Sequence, residues 1–376
     1  LIFFYNIYLP SSIINNIRSY LIHPDMSPVE EWGSFNIDVD GMISTIKERC
    51  YGKVLLQVPD GLRMRAPAIA ARLSEGSGTE VLLDGESCFG ACDHAGETAP
   101  LVGVEAVIQL GHMPIPSLDM SMSVPVHLFR ADMRHDPEMI RRGVEKALPL
   151  GLGNRIALAS TVQHITALAL LKKELEDRGL EVVIGKPAGR EAEAGQVLGC
   201  SFGTLRSLEG PVDSVMFLGT GRFHPLGIVM ATGKRTVAID PASGNCTLFS
   251  PSELEAFLRR RWGSMQKVRE EIDRGGTVCI VIGTKPGQRR LVLSDAIRDL
   301  LAAKGIRSVK VSMGDMTPMK VRSMGFKAAV STACPRIALD DQELYQGEGV
   351  TLLTPFEMRA LVEGRGVENY RFDDEW

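Results

Sequence analysis

The chain has 376 residues, 44% hydrophobic and 23% charged, enough for two or three domains with buried cores. A formal net charge of −4 argues against a globally basic nucleic-acid or membrane-surface protein. Seven cysteines, an odd number spread over this length, argue against a disulfide framework, so the thiols are expected reduced, in the cytoplasm, and free to act as ligands.

The first 25 residues are apolar only in part. Asn6, Ser11, Ser12, Asn15 and Asn16 interrupt the opening run, well short of the roughly 18 apolar residues that a membrane span requires. There is no basic segment and no small-residue cleavage site of a signal peptide. Met26-Ser27-Pro28-Val29 reads as an ordinary start, so residues 1–25 are expected to be an artefactual upstream stretch or a disordered tail.

From Asp38 an α/β pattern sets in and recurs three times. Val39, Met42, Ile43 and Ile46 fall at helical spacing between Asp38 and Tyr51. A buried-strand run from Lys53 to Val58 ends in Pro59-Asp60-Gly61 and is followed by an Ala-rich helix to Leu73. The strand Glu80–Leu83 empties into the loop Asp84 to Asp93, which carries Cys88 and Cys92, and runs at Ala106–Leu110 and Val124–Phe129 complete the unit. The second unit opens on a helix from Asp136-Pro137 to about Leu148, with Pro in a favoured first-turn position. A strand Arg155–Ala159 runs into Ser160–His164, and a helix Ile165–Arg178 stops at Gly179. The strand Glu181–Ile184 leads to Leu198-Gly199-Cys200, Ser214–Leu218 runs into Gly219–His224, and Arg235–Asp240 is the last strand expected there. The third unit begins with a charged helix, Ser252 to Asp273, whose Arg259-Arg260-Arg261 is expected as a solvated face. Strands Thr277–Ile282, Ser308–Val311, Ala328–Ser331 and Val350–Leu353 follow, with a helix to Ala303.

The expected fold is thus α/β: three similar units with short, mostly parallel sheets, over 26–135, 136–250 and 251–376. Continuously apolar strands suit parallel sheets covered on both faces. Three such units commonly pack around a shared centre with their strand ends inward.

Cys88, Cys200 and Cys334 each follow a strand, one per unit. Cys50 is placed at a helix end, Cys246 in a late loop, and Cys279 inside a core strand as a small hydrophobe. No Cys-x-x-Cys pair or His-x-x-x-His is present for zinc. Three thiolates suit a 4Fe–4S cluster with one iron left open for a substrate heteroatom, although three loop cysteines can equally stay unligated. The Cys88/Cys92 spacing begins the common radical S-adenosylmethionine motif, but Ala95 stands where its third cysteine belongs.

The segments Gly85–Asp93, Val197–Phe202 and Ser331–Asp341 together resemble the archaeal 2-(3-amino-3-carboxypropyl)histidine synthases of diphthamide synthesis. The similarity runs in order from about Met26 to the C-terminus, and Val58–Gly61 and Ser160–His164 also look like that family. The resemblance implies a homodimer in which Cys88, Cys200 and Cys334 hold a 4Fe–4S cluster, with no ligand role for Cys92. It also implies that reduction by an electron donor cleaves S-adenosylmethionine at its γ-carbon. The 3-amino-3-carboxypropyl group would then pass to C2 of a histidine in translation elongation factor 2.

Candidate groups around the S-adenosylmethionine are the polar strand ends Asp60, Gln163, His164, Gly219, Gly221, Thr284 and Gln288. The two glycines permit close backbone approach or simply make turns, and His164 reads as a contact or as a helix-start hydrogen-bonding residue. Arg336 pairs either with the methionine carboxylate or with Asp340 or Asp341. No residue is assigned as a catalytic acid or base. The competing readings are a quinolinate-synthase-like hydro-lyase, which needs no S-adenosylmethionine, and a non-catalytic electron-transfer subunit.

Overall fold

The computed structural model describes residues 30–118, 122–367 and 370, and the expected tail 1–25 lies outside them. The chain forms two compact units, one ending at Arg134 and the other beginning at His135. The first contains β1 (Glu30–Trp32), β2 (Phe35–Ile37), β3 (Lys53–Gln57), β4 (Glu80–Leu83), β5 (Ala106–Leu110), β6 (Val126–Phe129) and β7 (Ala131–Met133). Strands β3 to β6 form an all-parallel sheet in the order β4-β3-β5-β6. A small antiparallel sheet, β1-β2-β7, has no counterpart in the sequence reading. Its strands are three residues long, too short for any periodicity to register.

Helix Val39–Glu48 starts where Asp38 Oδ1 accepts the Gly41 N–H at 2.8 Å, and helix Ala66–Ser77 ends at Gly78 with φ +75. Ile46, Ile69 and Leu73 share one fully buried cluster with Val54, Leu56 and Ile108. Each such side chain contributes roughly 1.5–3 kcal/mol by leaving water.

The second unit contains two sheets. Strands β8 (Arg155–Ser160), β9 (Glu181–Ile184), β10 (Ser214–Leu218), β11 (Thr236–Asp240) and β12 (Asn245–Phe249) are ordered β12-β11-β10-β8-β9. Strands β13 (Val278–Gly283), β14 (Ser308–Met313), β15 (Ala328–Ser331) and β16 (Thr351–Leu353) are ordered β14-β13-β15-β16, all parallel. The expected helix Ile165–Arg178 is split into a 3₁₀ turn, Val162–Ala167, and a helix, Leu168–Glu176.

Two expectations are corrected. Cys246 lies in the antiparallel edge strand β12, not in a loop. That run alternates between exposed and half-buried positions, so it lacks the continuous apolar signature of the inner strands. Arg261 is 0% exposed rather than solvated. It lies on helix Pro251–Asp273 and forks onto Glu357 through Nε and Nη2, both 2.6 Å, with Nη1 on Ala338 O at 2.9 Å. Cys279 is fully buried, as expected.

Candidate functional site

Parallel sheets gather their functional loops at the carboxyl ends of the strands, and the candidate residues lie on such loops. In the first unit, the segment after β4 folds back so that Cys88 is only 2% exposed. Gln109, at the end of β5, donates from Nε2 to Cys88 Sγ at 3.2 Å and to Gln57 Oε1 at 2.9 Å. His112 Nδ1 is 3.8 Å from the same sulfur. Burial, then the nearby Asp93, pushes the Cys88 thiol up to about 12, while desolvation holds His112 down to about 4. A metal centre beside this sulfur would supply the positive charge that favours its thiolate. Asp60 opens the 3₁₀ turn after β3, exposed and paired with Arg63 at 3.1 Å.

In the second unit, the segment leading to Cys200 is stitched onto the end of β8: Ser160 N donates to Gly195 O, and Val197 N to Ser160 O. Cys334 lies three residues beyond the end of β15 and caps the short helix Pro335–Leu339. These two cysteine loops meet. A Cβ at Gly199 would lie 3.0 Å from both Arg336 Cδ and Phe223 Cε1. Arg336 itself stacks over the Phe223 ring at 5.0 Å and pairs with Asp340 at 2.9 Å. Desolvation raises the Asp340 carboxyl even against that guanidinium.

Beside this junction, a cleft of about 250 Å³ is lined by Gly219, Gly221, Arg222, Asp240, Asn245 and Phe249, among others. Gly221 has φ +81, and a side chain at Gly219 would strike the buried Phe217 ring at 2.8 Å, so both positions favour glycine. His164 is 5% exposed, with Nδ1 at 2.9 Å from His135 Nε2 and its Cδ2 within 3.5 Å of the would-be Gly219 Cβ. Burial, and next the neighbouring His135, holds it down to about 4, so His164 is neutral near pH 7. Gln163, in the same turn, is half-buried.

Gln288 is buried under the end of β13, where a Cβ on Gly283 would meet Ala333 Cβ at 3.0 Å and Gln288 Cβ at 3.1 Å. Gln288 therefore sits beside the Cys334 loop, whereas Thr284 is exposed at the rim.

Gln57, Gln109 and His112 around Cys88, and His135, Phe223 and Asp240 in the second unit, escaped the sequence reading. Gln57 and Gln109 carried a signal: each is a polar residue that directly follows three apolar ones late in its strand. Among the described residues, no three Cys, His, Asp or Glu side chains gather on one metal ion. Soft thiol donors, with a buried N–H already aimed at the Cys88 sulfur, fit an iron–sulfur group.

Residues 58–371 match the family described as "Putative diphthamide synthesis protein". The chain is 36% identical over 323 residues to the 2-(3-amino-3-carboxypropyl)histidine synthase of Pyrococcus horikoshii, covering 86% of this chain and 88% of that protein. The Methanocaldococcus jannaschii protein of the same name is 25% identical, covering 90% of this chain and 93% of its own. The crystal structure of Dph2 from Pyrococcus horikoshii with a 4Fe-4S cluster matches with a TM-score of 0.79 at 33% identity, over 92% of this chain and 94% of that one.

Proposed function

This chain belongs to the diphthamide synthesis protein family, and we propose that it transfers the 3-amino-3-carboxypropyl group of S-adenosylmethionine to C2 of a histidine in translation elongation factor 2. The carrying observation is the locked contact of the Cys200 and Cys334 loops through Gly199, Phe223 and Arg336. Two unrelated surface thiols would need no such junction. Cys88, Cys200 and Cys334 are the residues that would hold a 4Fe–4S cluster. Bound there, the cluster would supply the electron that breaks the sulfonium–Cγ bond, releasing methylthioadenosine and the aminocarboxypropyl radical.

The remaining work falls to the chain. The Arg336 guanidinium, braced on Phe223, is suited to fork onto the methionine carboxylate. The Gly219–Gly221 wall admits the ligand close to the backbone, and neutral His164 offers a hydrogen bond without adding charge beside a sulfonium. Gln163, Gln288, Thr284 and Asp60 are assigned as further polar contacts. The three larger sheets, which fall one each in 26–135, 136–250 and 251–376, would mark three domains, in a cytoplasmic homodimer served by an external reductant. Among the described residues, no helix is long and apolar enough to cross a membrane.

Anaerobic protein given a reductant and S-adenosylmethionine is expected to release methylthioadenosine. Release of 5′-deoxyadenosine would refute the bond selectivity, and no cleavage would favour the hydro-lyase or electron-transfer reading. Cys88→Ala, Cys200→Ala and Cys334→Ala should each lose the cluster's visible absorbance, and Cys92→Ala should keep it.

A further inference from the structure

The Cys88 sulfur rests on a chain of buried amides whose orientation is forced from its outer end. Gln57 and Gln109 are register partners on the parallel strands β3 and β5, both at the carboxyl end. They are 2% and 0% exposed. Gln57 Nε2 donates to Asp84 Oδ2 at 2.8 Å, and its Oε1 accepts the Ala95 N–H at 3.3 Å. A carboxylate only accepts and a backbone N–H only donates. Gln57 is therefore fixed with its amino group towards Asp84 and its oxygen towards Ala95 and Gln109. Facing that oxygen, Gln109 must present its own amino group, and the same nitrogen lies 3.2 Å from Cys88 Sγ. Turning Gln109 over would set its one side-chain oxygen both against Gln57 Oε1 and against the sulfur, out of water. Asp84 is in turn held by the Glu86 N–H on Oδ1 at 3.1 Å.

We propose that Asp84, Gln57 and Gln109 form a positioning chain that holds one N–H on the Cys88 sulfur and thereby sets the reduction potential of the bound cluster. The inference rests on the reading of Cys88 as a cluster ligand. A donor dipole on a ligating sulfur stabilises the extra negative charge of the reduced state, so it makes reduction easier. A reaction that begins with one-electron reduction gains from such a donor. Gln109 touches neither substrate nor reacting atoms in this scheme; it acts through the sulfur.

The test is a potentiometric titration of the reconstituted cluster, followed by its visible and paramagnetic signals. Gln109→Leu should retain iron and sulfide at wild-type stoichiometry and shift the midpoint to more negative potential. Asp84→Leu, at the half-exposed outer end, should shift it in the same direction by less, because Gln57 becomes free to turn. Wild-type midpoints in both variants with intact clusters would overturn the proposal, and Asp84→Leu alone decides it should Gln109→Leu fail to load. Cys88→Ala with a normal cluster would instead remove the ligand reading on which the proposal stands. Cys88→Ala without a cluster, alongside unchanged midpoints in the amide variants, would overturn the positioning chain alone.

Discussion

At Cys88 and His164 the decisive influence on each side chain is the loss of water around it. Burial favours the neutral form of both, pushing the thiol up to about 12 and the imidazole down to about 4. For His164 the consequence is a pH-dependent stability. Its folded value lies below the ordinary 6.5, so the unfolded chain binds the proton more readily. The stabilisation is complete above 6.5 and is lost as pH falls towards 4. His135 at 2.9 Å opposes the charge, and Asp240 pulls weakly the other way. By pH 5 roughly 2 kcal/mol of this contribution should be gone. Urea midpoints at pH 7 and pH 5 measure it: His164→Gln should lose less on acidification than the wild type, and equal losses would show that His164 is not the titrating group. None of this could be read from Ser160–His164 as a string, because burial of the ring depends on β10 and on His135, far away in sequence.

At the scale of elements, helix Pro251–Asp273 is tied to the last helix, Pro355–Val362, by an ion pair that no water reaches. Arg261 and Glu357 are both 0% exposed, and Glu357 also accepts from Thr354 N at 2.8 Å and Tyr370 Oη at 3.0 Å. A paired buried charge adds little net stability, but one left alone is costly. Arg261→Met should therefore lower the unfolding free energy by about 3–5 kcal/mol. Adding Glu357→Gln should restore part of it, since a neutral amide tolerates the loss of its cation. Urea unfolding of the single and double variants decides the matter, and a single variant within about 1 kcal/mol of wild type would mean that the pair behaves as a surface one. In the sequence, Arg261 is the third of three consecutive arginines and looked like its neighbours. A helix advances about 100° per residue, so one member of such a run can face inward, and only the helix's packing selects which.

For the whole molecule, the proposed homodimer is open to a direct test, and the first unit leaves Met64, Phe89 and Leu101 well exposed. Sedimentation at micromolar concentration should give twice the 41.0 kDa chain mass, and a single-chain mass would refute the dimer. The recurring strands were legible from the chain alone because parallel strands covered on both faces must be apolar throughout, a local and repeated signature. Lys53–Gln57, Ala106–Leu110, Ser214–Leu218 and Ala328–Ser331 lie where those runs lie. The three cysteines proposed as ligands stand out in the chain because each lies just beyond such a run or on a glycine-marked loop. What the chain could not disclose are its pairings across distance. Register sets Gln57 beside Gln109, backbone proximity sets Gly199 against Arg336, and packing hides Arg261. Local periodicity reports which face of a strand or helix is apolar. Which distant polar group meets it is decided only when the elements pack, because that choice depends on strand order, register and the exclusion of water together.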